Sequence, residues 1–459
     1  MSPQELNPVL VRKYNQPVPR YTSYPTVPFW QAEPDVTEWT ALFRRQFHEE
    51  NHTRGISLYV HLPFCESLCT YCGCNKKITT NHSVEEAYLA AVEKEWKLYR
   101  SLMQQTPVVR ELHLGGGTPT FFSPRNLKRL LHNLLKGSIV HPQHGFSIEG
   151  HPNNTTAAHL AILYDAGFRR ISYGVQDLDP EVQRVINRVQ PFGHVQKATD
   201  AAREAGFTSI NFDLIYGLPL QTLSGMEHTI NSVIDLRPDR IAFYSYAHVP
   251  WTSRAQRLFD ERDLPTPEEK IGLYLKGKEL LQQAGYVDVG MDHFALPGDE
   301  LAAARREGRL HRNFMGYTTQ ATKLLLGLGV SSISDAGIAF AQNAKTLHDY
   351  YAAVDRGELP VQKGHVMSAE DRAFRRYILD ITCTGITRFR PEDGALLRQF
   401  VFPRLKPLAA DGLLTWDEGG LELTSLGHYF IRNCCAPFDL YKIRAEASNL
   451  AGPIFSQAI

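Results

Sequence analysis

Between about residues 55 and 335, short apolar runs alternate with amphipathic stretches, and this alternation limits the fold more than any other feature of the chain. Residues 56–61, 111–114, 146–149, 170–175, 209–215 and 240–247 read as strands. Between the first two, residues 84–103 carry Ala87, Leu89, Ala91, Val92, Trp96, Leu98 and Leu102 at helical spacing, and residues 126–135 repeat that pattern further on. Strands and helices in this rhythm predict parallel strands joined by crossover helices. Glu149, Gln176, Asp213 and Tyr246 stand at strand C-terminal ends, where barrels and open α/β sheets place their sites. Any one of them alone reads equally as a cap or loop contact; their recurrence on successive strands points to a shared site.

The first strand runs into Phe64-Cys65-Glu66-Ser67-Leu68-Cys69-Thr70-Tyr71-Cys72-Gly73-Cys74-Asn75, four cysteines within ten residues. Thiolates at C-x3-C-x2-C spacing, Cys65, Cys69 and Cys72, suit three irons of one [4Fe–4S] cube. The fourth iron then stays open to a substrate or cofactor. A zinc site favours separated C-x2-C pairs or added histidines, and Cys74 lies one residue from Cys72, too close for easy tetrahedral closure. A disulfide framework suits a short secreted chain, whereas these 459 residues hold only three further cysteines, Cys383, Cys434 and Cys435.

Lysine plus arginine and aspartate plus glutamate both number 49, so no net field recruits nucleic acid or a membrane surface. The first 25 residues lack an apolar signal-peptide core, and no run reaches the roughly 18 apolar residues of a span. A cytoplasmic protein without a membrane span is expected. Residues 1–54, with Pro17, Pro19, Pro25, Pro28 and Pro34, read as an extended N-terminal arm that packs over a site entrance or against the surface. Residues 55–365 form the main domain. Residues 366–459 follow, mainly helical, with a glycine-turn hairpin at 412–424 that makes the segment winged-helix-like. Acidic Asp417 and Glu418 at the wing tip argue against DNA.

Gly115-Gly116-Gly117 lies at a strand end, where a ligand can rest directly on the backbone. Beside an open-iron cysteine loop, the fitting ligand is S-adenosylmethionine, whose amino and carboxylate groups chelate iron. One electron from the cluster then releases a 5′-deoxyadenosyl radical.

The cysteine run, with Leu58-Tyr59-Val60-His61-Leu62-Pro63 before it, resembles the radical SAM superfamily. The chain is similar nearly end to end to the oxygen-independent coproporphyrinogen III oxidases, also called coproporphyrinogen III dehydrogenases. Arg20-Tyr21-Thr22-Ser23-Tyr24-Pro25-Thr26, Gly115-Gly116-Gly117-Thr118-Pro119-Thr120, Gly174-Val175-Gln176-Asp177 and Asp213-Leu214-Ile215-Tyr216-Gly217-Leu218-Pro219 carry the resemblance. So do Asn187-Arg188, Gly290-Met291-Asp292-His293-Phe294 and Leu310-His311-Arg312-Asn313-Phe314. Cys74 sets the chain apart from related haem chaperones, which usually carry another residue there. His151 and Met315 depart from the family pattern of an acid and a glutamine.

The resemblance implies an incomplete TIM-like (β/α)6 barrel and two bound S-adenosylmethionines. Tyr59, Gly116, Glu149 and Ile333 would hold the one at the cluster. Tyr71, Gly117, Thr118, Gln176, Arg188, Asp213 and Ala247 would hold the other. It further implies an oxidoreductase of porphyrin biosynthesis that converts the ring A and B propionates of coproporphyrinogen III to vinyl groups, giving protoporphyrinogen IX. Flavodoxin or ferredoxin would supply electrons to a monomer. Arg20, Arg312 and Lys345 are candidates, by type, for the substrate's carboxylates. A haem-binding chaperone-like protein and a radical SAM methyltransferase are the alternatives.

Overall fold

The structure, a computed structural model, describes residues 7–448 and 455–458. Six parallel strands follow one another in both chain and space: β1 (Ile56–Leu62), β2 (Val108–Gly116), β3 (Ile139–Gly150), β4 (Phe168–Gln176), β5 (Ser209–Tyr216) and β6 (Arg240–Ser245). A helix follows each, from Val84–Met103 after β1 to Pro267–Gln283 after β6. Leu325–Leu328 adds a further parallel strand beyond β1, and antiparallel strands extend both edges into one open sheet of 13 strands. The parallel strands and crossover helices expected from the alternation, and the incomplete barrel implied by the resemblance, are therefore present.

Alternation along each strand decides where the core sits. Leu58, Val60 and Leu62 on β1, Leu112 and Leu114 on β2, and Ile210, Phe212 and Leu214 on β5 face the helices and are at most 1% exposed. The intervening positions, among them Tyr59, His113, Ser147, Ser172, Asn211 and Asp213, belong to the opposite face. The barrel interior is thus polar, unlike the aliphatic filling usual in closed (β/α)8 barrels. The stabilising core is the layer between strands and helices.

Glu95 locks one helix of that layer. Buried in Val84–Met103, it accepts hydrogen bonds from the Gly329 amide (2.8 Å), the Tyr350 hydroxyl (2.7 Å) and the Asn343 side-chain amide (2.6 Å). Three donors want an acceptor-only side chain. Glu95→Gln presents an N–H to one of them and is expected to destabilise the protein by about 1–3 kcal/mol, read in denaturant melts.

Among the described residues of the N-terminal arm, Pro8–Tyr14 and Val36–Glu50 are α-helical with a non-α-helical stretch at 15–35 between them, and Trp39, Phe43 and Phe47 of the second helix enter the main core. The middle of the arm is also firmly packed, and Arg20 donates to the Ser245 carbonyl at the C-terminal end of β6. Tyr14, Tyr21, Tyr24 and Trp30 are buried. Arg312 donates to the Arg20 and Tyr21 carbonyls (2.9 and 2.7 Å), Asn433 to the Tyr14 carbonyl (2.9 Å), and Arg432 to those of Val18 and Pro19. Proline content reports the missing helix but carries no information on burial. Truncating Tyr24 to alanine is expected to cost about 3–5 kcal/mol, and deleting residues 1–30 to leave no cooperative thermal transition.

Beyond the barrel, Ala369–Thr384, Ile386–Arg388, Phe402–Ala410 and the antiparallel pair Leu414–Asp417 and Gly420–Leu423 form a winged-helix-like arrangement. Among the described residues, no helix is long and apolar enough to cross a membrane.

Candidate cofactor site

The cysteine loop leaves β1 and is closed by parallel pairing of Phe64–Cys65 with Lys77–Ile78. Cys65, Cys69, Cys72 and Cys74 are free thiols that line one cavity of about 600 Å³ at the C-terminal ends of the strands. Glycines allow that approach. A Cβ on Gly117 would lie 2.6 Å from the Pro63 carbonyl oxygen and 3.0 Å from Cys65 Sγ. Gly116, at φ +119°, would press a Cβ to 2.8 Å from the His61 ring.

Two side chains address the sulfurs. Thr118 Oγ1 donates to Cys65 Sγ at 3.3 Å. Arg188 Nη1 donates to Cys69 Sγ at 3.6 Å, its Nε and Nη2 gripping the Gly174 carbonyl at 3.1 and 2.6 Å. A Cβ on Gly174 would meet Gln176 Nε2 at 2.6 Å and Arg188 Nη2 at 2.8 Å, so glycine there makes room for both. A hydrogen bond from Cys74 and the charge of Lys76 draw the Cys72 thiol below its ordinary range, against its burial. Among the described residues, no three His, Cys, Asp or Glu side chains converge as ligands of a single ion do. A four-iron cube takes each thiolate on a separate iron, so sulfurs spread around one cavity fit it.

The carboxylates differ. Burial would raise Glu149, but the bond to His113 (3.4 Å) and the Gly116 amide (3.1 Å) hold it below the usual carboxylate range. Asp213 accepts from Ser172 (3.0 Å) and Asn211 (2.8 Å), yet burial and then the charge of Glu149 push it up to about 7. One carboxylate is thus held ionised beside another poised between forms.

Tyr71, Gly117, Thr118, Gln176, Arg188 and Asp213 line the cysteine cavity, and Gln176 sits there at φ +67°. Tyr59, Gly116, Glu149 and Ile333 line an adjoining cavity of about 310 Å³ together with Cys74; Gly116 and Glu149 belong to both. Ala247 lines neither. Its carbonyl accepts from Gln256 Nε2 (3.1 Å), which also holds the Tyr71 carbonyl (2.8 Å). The two departures also face these spaces, His151 in the larger and Met315 in the smaller. Of the candidate cations, Arg20 donates to the Ser245 carbonyl and Arg312 to the arm's backbone; neither these nor Lys345 lines either cavity. Asp177 is buried and holds Gln221 and Thr229, a bracing role.

Sequence reasoning missed His113, Ser172, Asn211 and the lower barrel. His113 bonds Ser147 at 2.7 Å and lies 5.9 Å from the Tyr59 ring. The available signal was polar residues at every second strand position, which a search for strand ends passes over.

The model of the radical SAM superfamily matches residues 59–233. An oxygen-independent coproporphyrinogen III oxidase of Pseudomonas aeruginosa is 40% identical over 441 residues, spanning 94% of this chain and 95% of its own length. The protein of that name from Escherichia coli is 41% identical over 438 residues, 94% of each. A solved structure of Escherichia coli coproporphyrinogen III oxidase, described as a radical SAM enzyme, superposes with a TM-score of 0.87 at 39% identity, covering 95% of this chain and 99% of that one.

Proposed function

We propose that this chain, which belongs to the oxygen-independent coproporphyrinogen III oxidase family of the radical SAM superfamily, oxidatively decarboxylates two propionates of coproporphyrinogen III to vinyl groups. Each conversion removes a hydrogen atom from the propionate β-carbon, releases CO2 and passes one electron to an external acceptor, leaving a carbon–carbon double bond. The observation that carries the reading is three free cysteines at C-x3-C-x2-C spacing lining one cavity with a glycine-backed strand end, in a chain of this family. A bound [4Fe–4S] cluster with S-adenosylmethionine would supply hydrogen-atom abstraction at the β-carbon, which is bonded to the pyrrole ring.

The chain's own residues position and enclose. Cys65, Cys69 and Cys72 would hold the cluster, Thr118 and Arg188 donating to the first two sulfurs. Tyr59, Gly116, Glu149 and Ile333 would seat one S-adenosylmethionine, with ionised Glu149 facing its cationic groups. Tyr71, Gly117, Thr118, Gln176, Arg188 and Asp213 would seat a second, Ala247 contributing through the loop that Gln256 ties to Tyr71. Two adjoining cavities support two molecules per chain. The buried polar lumen keeps bulk water from the reacting carbon, where the nearest C–H bond determines the product. We take the enzyme to be a cytoplasmic monomer that receives electrons from a flavodoxin- or ferredoxin-type donor, with residues 1–54 as arm, 55–365 as catalytic domain and 366–459 as C-terminal domain.

Anaerobic incubation of the reconstituted protein with reductant, S-adenosylmethionine and coproporphyrinogen III is expected to yield, after oxidation, protoporphyrin IX by chromatography. Unchanged coproporphyrin or a methylated porphyrin would overturn the reading.

A further inference from the structure

The polar lumen does not end beneath Glu149 and Asp213. One row of paired residues leads from Glu149 on β3 through Ser172 and Asn211 to Arg240 on β6, and a second links Ser147, Arg170 and Ser209. These residues line a narrow cavity of about 150 Å³ inside the barrel, which shares Glu149, Ser172, Asp213 and Tyr244 with the cysteine cavity. At its lower end it shares Arg170, Ser209 and Arg240 with an open vestibule of about 1060 Å³ at the N-terminal ends of the strands. From Asp213 to Ser209, four residues along β5, the passage runs about 13 Å.

Its floor carries unsatisfied donors. The Arg240 side chain is 10% exposed; its Nε is held by both oxygens of Asp299 at 2.8 Å, but its Nη2 is buried with no hydrogen-bond partner. Arg170 Nε is likewise buried and unpartnered, Nη2 making only a long bond of 3.4 Å to the Gly145 carbonyl. Glu111 lies 4.0 Å from Arg170, yet its oxygens already accept from the Ser57 and Thr318 hydroxyls at 2.8 and 2.9 Å. His293, in the same lumen, is driven down to about 3 by burial and then by Arg312, Arg240 and Arg20, so it adds no charge while registering a cationic surrounding. Around the vestibule six arginines face three carboxylates, Asp239, Asp299 and Glu300. Buried donors left open are costly, and guanidinium forks match carboxylates.

We propose that Arg170 and Arg240 form a carboxylate-binding site on the barrel floor, and that the carboxylate is a propionate arm of the substrate held away from the reacting end. The ligand's source rests on the porphyrinogen reading above; the carboxylate chemistry does not. Such an anchor orients the macrocycle, so these are positioning residues. Arg20 and Arg312 donate to backbone carbonyls and line neither this cavity nor the vestibule, although Arg312 Nε is also buried without a partner.

The test is anaerobic fluorescence titration of the reconstituted enzyme with coproporphyrin III, with its tetramethyl ester, and with sodium propionate as competitor. Arg170→Gln is expected to weaken coproporphyrin III binding about ten- to a hundredfold and to raise KM more than it lowers kcat. Arg170→Lys should restore part of the affinity, and the ester should bind wild type and variant alike. Since Arg240 also pairs with Asp299, Ala303→Glu, which leaves both arginines in the sequence and adds a competing carboxylate to the vestibule lining, serves as the second variant and should weaken coproporphyrin III binding in the same direction. Coproporphyrin III affinity within twofold of wild type in both Arg170→Gln and Ala303→Glu overturns the site. Propionate competition lost in Arg170→Gln while coproporphyrin III binding is unchanged keeps the carboxylate chemistry and overturns its assignment to the substrate. Wild-type enzyme that neither binds coproporphyrin III nor converts coproporphyrinogen III fails the functional reading, and the substrate assignment with it.

Discussion

Cys69→Ala is expected to abolish both the visible iron–sulfur absorbance of the reconstituted protein and reductive cleavage of S-adenosylmethionine. Cys69 is the central thiol of the C-x3-C-x2-C run and is buried, and Arg188 donates to its sulfur at 3.6 Å. The three distant cysteines cannot replace it: Cys383, Cys434 and Cys435 are buried and line neither the cysteine cavity nor the one adjoining it. With two thiolates, a four-iron cube loses one of its three protein ligands, so iron and sulfide content should fall to background. The same loss is expected for Cys65→Ala and Cys72→Ala. Cys74→Ala should keep the chromophore. A redox-active four-iron cluster retained in Cys69→Ala, or lost only in Cys74→Ala, would refute the ligand set.

Replacing Asp213 with asparagine is expected to weaken binding of the proposed second S-adenosylmethionine by about a hundredfold at pH 8 and to remove a pH dependence expected in the wild type. Burial and the charge of Glu149 raise Asp213 to about 7, above its ordinary 3.8. The folded protein therefore holds this proton more tightly than the unfolded chain does. That stabilising contribution is complete below about pH 4 and is lost as pH rises through about 7. A cationic ligand prefers the ionised carboxylate, so wild-type affinity should climb between pH 6 and pH 8 while Asp213→Asn stays flat. Equilibrium binding at the two pH values reads both effects. A single S-adenosylmethionine per chain with affinity and pH profile unchanged in the variant would remove the second site.

The barrel strands were legible because each pairs buried aliphatic residues at alternate positions with a helix of matching period. The 84–103 prediction coincides with the observed helix Val84–Met103, whose apolar stripe faces the core. The upper rim was equally readable, since Glu149, Gln176 and Asp213 interrupt apolar runs at strand ends. Arg170 and Arg240 were not, because a polar residue at a strand's first turn reads as solvent-facing unless the lumen is known to be open. The burial of the arm was not readable for a related reason. Tyr21, Tyr24 and Trp30 are buried by Phe340, Met367, Tyr441 and neighbouring segments hundreds of residues away, a long-range contact that local composition does not carry. Pairing of the glycine motif with the sulfurs needed the fold as well: Gly117 matters because Pro63 and Cys65 pass within reach of its missing side chain.

The most direct test of the central claim uses coproporphyrinogen III carrying deuterium at the β-carbons of its propionates. Incubated anaerobically with the reconstituted protein, reductant and S-adenosylmethionine, it should give porphyrinogen with two vinyl groups, two CO2 released per molecule, and one deuterium in each 5′-deoxyadenosine formed. S-Adenosylmethionine cleaved without deuterium transfer, or deuterium transferred while all four carboxylates remain, would contradict it.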